Sequence, residues 1–229
     1  MQRTPTRWLV TVVASLACLA GCQDGATATP PPATPTAAPA ATEPGPTPTM
    51  PAAETFDAFD VRLPPGRYTR GAFVPRVTFE VEKGWRAVEA GARFWSIQRK
   101  AGNPKAVMVM FARPDGVYGD LGELLGPGTA QAAADALGAN TAIGVVSSDS
   151  SLMSGLTGLL LELEPAAAET EVLHVPPGAL TLPPGERMWL ALFDTPEGLV
   201  AIIVQGSAAN WEDVLVAAEP VLESVTIGL

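Results

Sequence analysis

Met188-Trp189-Leu190-Ala191-Leu192-Phe193-Asp194-Thr195-Pro196-Glu197-Gly198-Leu199-Val200-Ala201-Ile202-Ile203-Val204-Gln205-Gly206 is two apolar runs around a turn. Asp, Pro and Gly within five residues supply what a reversal needs: local side-chain bonding, a fixed φ and a free φ. Met188–Phe193 and Leu199–Gln205 therefore read as an antiparallel hairpin. Just downstream, Asn210 is placed to cap a helix, with Asp213 three residues on and Glu212 suited to the positive helix start. Trp211, Leu215, Ala218 and Leu222 recur at helical spacing, so they share a face that must bury itself on a sheet. Pro220 is expected to kink or restart this helix. Val225-Thr226-Ile227 reads as a last short strand.

Working back towards the N-terminus, the same sheet gains strands. Val77–Glu82 alternates apolar and polar, and Lys83-Gly84 turns the chain into Trp85–Val88. Phe94–Arg99 and the nearly all-apolar Ala106–Phe111 follow, giving an expected antiparallel meander from residue 77 to 111. Residues 112–128 carry five glycines and read as loop. Thr129 is a fair N-cap for a helix through about Leu137, with Ala130, Ala133, Ala134 and Leu137 on one face and Gly138 as its stop. Strand patterns return at 142–147 and 156–164. Pro-Pro-Gly turns stand at 64–66, 176–178 and 183–185.

The N-terminal part is of another kind. Arg3 and Arg7 precede an apolar run from Trp8 to Ala20, closed by Leu19-Ala20-Gly21-Cys22. Positive residues stay in the cytoplasm, a short apolar run enters the membrane, and small residues admit a peptidase before the cysteine. The reading is a lipoprotein signal at 1–21, recognised through Leu19, Ala20 and Gly21, with lipid on Cys22. Residues 22–55 are Pro-, Thr- and Ala-rich, with nine prolines from Pro30 to Pro51. Such a segment cannot build a core and is expected to be a disordered, semi-extended stalk. Residues 56–229 form one domain. Cys18 falls in the cleaved signal and Cys22 takes lipid, so cysteine catalysis and cysteine-held zinc are not expected. The expected location is the extracytoplasmic face of a cell membrane.

The net charge of −10 argues against nucleic acid as a partner. The charge is also unevenly spread. Residues 61–113 hold eleven Lys/Arg and three acids, whereas residues 114–229 hold Arg187 alone against sixteen acids. Either the halves fold against each other with complementary charge, or a basic face meets an anionic partner such as headgroups or wall polymer.

Catalytic patterns are sparse. His174 is the single histidine, in an expected edge strand or loop. No GxSxG elbow accompanies it, and Ser154 is the nearest serine suspect. HExxH, CxxC, His-x-His, Ser-x-x-Lys and calcium-loop patterns are missing, so no catalytic residue, metal site or cofactor is expected. Glu162, Glu164, Glu169 and Glu171 form an acidic group that is either a solvent face or a weak calcium site. Gly116-x-x-Gly119-x-x-Gly122 lacks the strand–turn–helix setting of a nucleotide loop. The candidate ligand surface is Arg67, Tyr68, Arg70, Phe73 and Arg76, where arginines and aromatics interleave. On the plainer reading, Tyr68 and Phe73 pin this segment to the core and the arginines stay wet. Trp85, Trp95, Trp189 and Trp211 read as core or core edge.

The order of elements carries a resemblance. Gly84-Trp85, the Phe94-x-x-x-Gln98 strand, "LTGLLLELE" at 156–164, the hairpin at 188–206 and "WEDVLVAAEPVLESVTI" at 211–227 resemble PsbP-like lipoproteins. The resemblance spans about residues 65–229. It implies an α+β fold, an α/β/α sandwich with a mainly antiparallel sheet and two or more helices. It also implies a non-enzymatic binding or assembly module and brings no catalytic residue. The expected partners are the membrane, through Cys22, and a protein or cell-envelope component. Two other readings stand beside it: a cell-wall-directed hydrolase using carboxylates, and a carrier of lipid or a small ligand between sheet and helix.

Overall fold

The computed structural model describes residues 52–55, 60–101, 105–126 and 128–228. Leu19–Cys22 and nearly all of the Pro-rich segment lie outside the described residues. The strands in chain order are β1 (Glu54–Thr55), β2 (Val61–Arg62), β3 (Gly66–Thr69), β4 (Val77–Val81), β5 (Trp85–Ala90), β6 (Phe94–Ala101), β7 (Lys105–Ala112) and β8 (Gly116–Tyr118). Then come β9 (Leu124–Leu125), helix α1 (Ala130–Ala139), β10 (Ile143–Met153), β11 (Leu156–Pro165), β12 (Thr170–Val175) and β13 (Gly178–Leu182). The chain closes with β14 (Glu186–Thr195), β15 (Gly198–Ser207), helix α2 (Trp211–Ser224) and β16 (Thr226–Ile227).

The hairpin β14–β15 forms with Gly198 at φ +109, and it lies in the middle of an eight-stranded sheet ordered β10-β11-β14-β15-β7-β6-β5-β2. Every pairing in that sheet is antiparallel. Its central position explains the unbroken apolar runs: from Leu190 to Phe193 and Leu199 to Val204 both faces are buried. Alternate residues point into two cores. Phe111, Ala191, Phe193, Ile202 and Val204 face one; Met110, Leu190, Leu192, Ala201 and Ile203 face the other. Gly158 of β11 lies opposite Phe193, and a Cβ there would come within 2.4 Å of the Leu192 carbonyl oxygen. This strand glycine marks a close backbone approach.

The outer layers overturn the expected α/β/α sandwich. The protein is mostly β, with two α-helices among the described residues. Each face of the central sheet is covered by a small sheet and one helix. On one side these are β1-β3-β4-β16 and α2; on the other, β13-β12-β8-β9 and α1. Width explains it. Eight strands at ~4.8 Å spacing make a sheet about 34 Å across. A single helix is only about 10 Å across and leaves most of such a face bare. Short strands supply the rest of the cover.

The expected meander is corrected in the same way. β5, β6 and β7 are neighbours in the central sheet, but β4 turns away at Gly84 (φ +109) and pairs with β3 and β16. Its Phe79 ring then packs on Trp95 and Phe111, at centroid distances of 4.9 and 5.4 Å.

Both helices formed where the spacing put them, with different details. Thr129 caps α1 by accepting from the Ala132 amide. Asp194, from the hairpin turn, accepts from the Ala130 amide at 2.8 Å and binds the hairpin to this helix start. In α2 the buried stripe is Trp211, Val214, Ala218 and Val221, with Leu215 and Leu222 half-buried at its flank. Asn210 stands at the N-cap without a side-chain cap bond. The helix runs on through Pro220, since the proline and Val216, whose carbonyl it leaves free, are both exposed to water.

Candidate functional site

Asn140 ends α1 and ties the loop after β8 to the start of β10. It is 3 % exposed. Its Nδ2 donates to the carbonyls of Tyr118 and Gly119, both at 3.0 Å, and its Oδ1 accepts from the Ala142 amide at 2.9 Å. Next to it, the Thr141 amide and hydroxyl both donate to Asp120 Oδ1, at 2.6 and 2.5 Å. Together these bonds clamp the α1–β10 turn to the loop after β8. Their donors hold the Asp120 carboxyl below the ordinary carboxylate range, the Thr141 hydroxyl more than the amide. A lowered folded-state pKa means the clamp's contribution is present above that range and is lost as pH falls through it.

The clamp is one wall of an open cleft of about 780 Å³; the turn Ala166–Glu169, with Thr170, Glu171 and Thr181, forms the other. Three carboxylates line it: Asp120, Glu169 and Glu171. Glu169 accepts the Thr181 hydroxyl at 2.7 Å, so this wall too is tied down. Tyr118 also lines the cleft. Burial, and then the Glu171 and Asp115 carboxylates, raise its phenol above the ordinary value of 10.0.

Tyr118 connects the cleft to the single histidine. Its ring meets His174 edge-on, with centroids 6.3 Å apart. His174 Nδ1 lies 2.5 Å from Asp115 Oδ1, and the other Asp115 oxygen is 3.6 Å from Arg93. A carboxylate only accepts, so Nδ1 carries the hydrogen. The Asp115 amide donates back to the His174 carbonyl at 3.0 Å. The histidine thus sits on an inner strand, β12 between β13 and β8, and not at an edge.

The other residues singled out from the sequence are dispersed. Ser154 takes φ +53 in the β10–β11 turn, where its hydroxyl accepts from the Ile227 amide at 2.9 Å. It therefore fastens β16, beside the core opposite to that of β12, and is not brought to His174. Glu162 and Glu164 do share a face, and both grip Arg187, at 3.0 and 3.1 Å. The acidic group is thereby split, with Glu169 and Glu171 at the cleft.

The strip from Arg67 to Arg76 needs correction as a ligand surface. Tyr68 is 3 % exposed and Phe73 1 %, so neither ring is open to a sugar. The Tyr68 hydroxyl donates to Pro64 O at 2.9 Å, and Phe73 lies edge-on to Trp95. Arg70 is buried as well, with Nε donating to Gly91 O at 3.3 Å. Only Arg67, half-buried, and Arg76, exposed, stay accessible. The plainer reading was right for the aromatics; for Arg70 neither reading was.

The cleft is not legible in the sequence, since Asp120, Asn140 and Thr141 look like ordinary turn residues. The available signal was Asn140-Thr141 just past the helix stop at Gly138, a place where polar side chains satisfy free carbonyls.

The chain's two tyrosines, Tyr68 and Tyr118, both have raised values, in each case first through burial. Alkaline titration followed by tyrosinate absorbance should give midpoints above the ordinary value. Glu171→Gln should lower the Tyr118 midpoint. The folded state favours the neutral phenol, so this contribution is complete below about pH 10 and is lost as pH rises through the raised value. Identical, unshifted curves for both proteins would contradict the arrangement.

No protein-family model matches the chain, and no curated protein matches it. Among solved structures it is similar to the solution structure of cyanobacterial PsbP (CyanoP) from Synechocystis sp. PCC 6803. The identity is 15 % and the TM-score 0.42, over 71 % of this chain and 91 % of that one.

Proposed function

We propose that this chain is a lipid-anchored, extracytoplasmic binding or assembly module, tethered through Cys22 and taking its partner in the cleft beside Tyr118. The partner is a protein or cell-envelope component that offers cationic groups. The observation that carries this reading is the cleft itself: open, lined by three carboxylates, with walls held by the Asp120–Thr141 and Glu169–Thr181 bonds. Rigid walls lower the ordering cost of association.

The same bonds favour binding over hydrolysis. Two of the three carboxylates are engaged in holding walls, whereas an acid–base pair needs both groups aimed at substrate. The carrier reading requires space between sheet and helix. Trp211, Val214, Ala218 and Val221 fill that interface in α2.

Crosslinking in intact membranes, followed by pull-down, tests the proposal. The wild-type chain should capture a specific partner. Glu169→Lys with Glu171→Lys, both at exposed positions, should lower capture by about tenfold, the effect of roughly 1.4 kcal/mol. Equal capture by the charge-reversed chain would remove the cleft from the reading. Turnover of wall fragments by the wild type would replace binding with hydrolysis.

A further inference from the structure

We propose that β10 pairs antiparallel with β10 of a second copy of this chain, in a register centred on Ser150. The inference starts from an asymmetry in how the sheets are edged. The central sheet ends at β2, two residues long and followed closely by Pro64-Pro65, but on the other side at β10, which has eleven. The small sheets end in two-residue strands or, at β13, in a strand whose Thr181 carbonyl accepts from Gln205. Short strands, prolines and covering side chains are how edges are blunted against further pairing. β10 has neither Pro nor Lys.

Residues 145–150 are exposed without a break, and Leu152 is 76 % exposed. Among the described residues no side chain bonds to the outward backbone of β10 between Val145 and Met153. A row of amides and carbonyls thus remains available for another strand.

The occupant follows from the register. A bulge interrupts β10 between Val145 and Ser147, which leaves Ser147–Met153 as the regular stretch. Antiparallel partners must lie on the same face, so a two-fold pairing of this stretch has to be centred on a residue and not between two. Centring on Asp149 sets carboxylate against carboxylate. Centring on Ser148 runs the pairing into the bulge. Centring on Ser150 uses all of 147–153, matching 147 with 153, 148 with 152 and 149 with 151. Asp149, the single charge on the strand, then faces the Ser151 hydroxyl, and Leu152 gains the cover of the partner's Ser148. The chain's own Pro30–Pro51 segment is a poor alternative, because its nine prolines have no donor to give.

Single-cysteine substitutions in the full chain, oxidised on intact cells, test this. The natural Cys18 and Cys22 are common to all variants, and the unsubstituted chain is the control. In the proposed register the two residues 150 stand directly opposite, about 4.5–5.5 Å apart between Cα atoms, which a disulfide spans. Copies of residue 148, or of 152, stand four residues out of line, about 13 Å apart. S150C should therefore give a covalent dimer at about ten times the yield of S148C or L152C. Adding Ser148→Lys and Leu152→Lys to S150C should abolish the excess, since lysines at an edge oppose pairing. Equal yields at 148, 150 and 152 would mean random collision and overturn the proposal. So would a maximum at another position, a S150C adduct to a different protein, or no dimer from S150C in a chain whose circular dichroism is unchanged.

Discussion

A chain carrying Cys22→Ser, once its signal is cleaved, is expected in the soluble extracytoplasmic fraction, folded and with wild-type thermal unfolding. The effect should be nearly complete, because attachment is proposed to rest on the lipid alone. Each buried CH₂ of an acyl chain contributes about 0.8 kcal/mol, and two chains hold a protein to a bilayer where one barely does. Among the described residues no helix is long and apolar enough to cross a membrane. The fold should not notice the change. The first strand among the described residues, Glu54–Thr55, begins more than thirty residues after Cys22. Fractionation of membranes and medium, with circular dichroism of the released chain, reads both halves of the prediction. Cys22→Ser protein that stays with the membrane after its signal is cleaved would refute the tether.

How far the chain could be read depended on whether a signal was local. The 188–206 hairpin was legible because turn chemistry and two apolar runs lie within nineteen consecutive residues. Helix α1 was legible through Thr129 and its alanine face, and α2 through a stripe that came out rotated by one position, onto Val214 and Val221. The sheet to which a strand belongs is not a local property. Val77–Glu82 alternates as a strand in either sheet would; only Phe79 meeting Trp95 and Phe111 across the core decides where β4 goes. This is why β4 was expected in the central meander, whereas the helical outer layers were expected from the resemblance alone.

The site was less legible for the same reason. Asp120 and Thr141 are 21 positions apart, and so are Gly119 and Asn140. Asp115 and His174 are 59 apart. Each pair joins residue types that occur in any turn, so their chemistry is visible only after the loop after β8 has been folded against α1 and β12. By contrast, the strip from Arg67 to Arg76 drew notice because its residues are adjacent, and burial of Tyr68, Arg70 and Phe73 removed most of it.

Trp95→Ala should destabilise the domain by about 3–5 kcal/mol. The indole is fully buried, stacked on Phe111 at 4.2 Å with 19° between planes, tilted on Phe79 at 4.9 Å and edge-on to Phe73 at 6.3 Å. Those three rings come from β7, from β4 and from the segment between β3 and β4. Trp95 is thus where the central sheet grips its small sheet. Removing it forfeits aromatic contacts worth about 0.5–1.5 kcal/mol each beyond area. It also leaves a void that backbone on two sheets cannot close. For a domain of this size each kcal/mol moves the midpoint by about 2–4 °C, so the loss should be roughly 6–20 °C. Trp95→Phe keeps a ring against Phe111 and should retain much of the stability. Far-UV circular dichroism is the right probe, since the substitution removes a fluorophore. A loss under about 1 kcal/mol would mean that β3 and β4 are not seated as described. The cleft adjoins the opposite core, so partner capture should persist in Trp95→Ala at temperatures where the chain is still folded. Concurrent loss of capture and packing would instead tie the cleft's walls to the small sheet across the molecule.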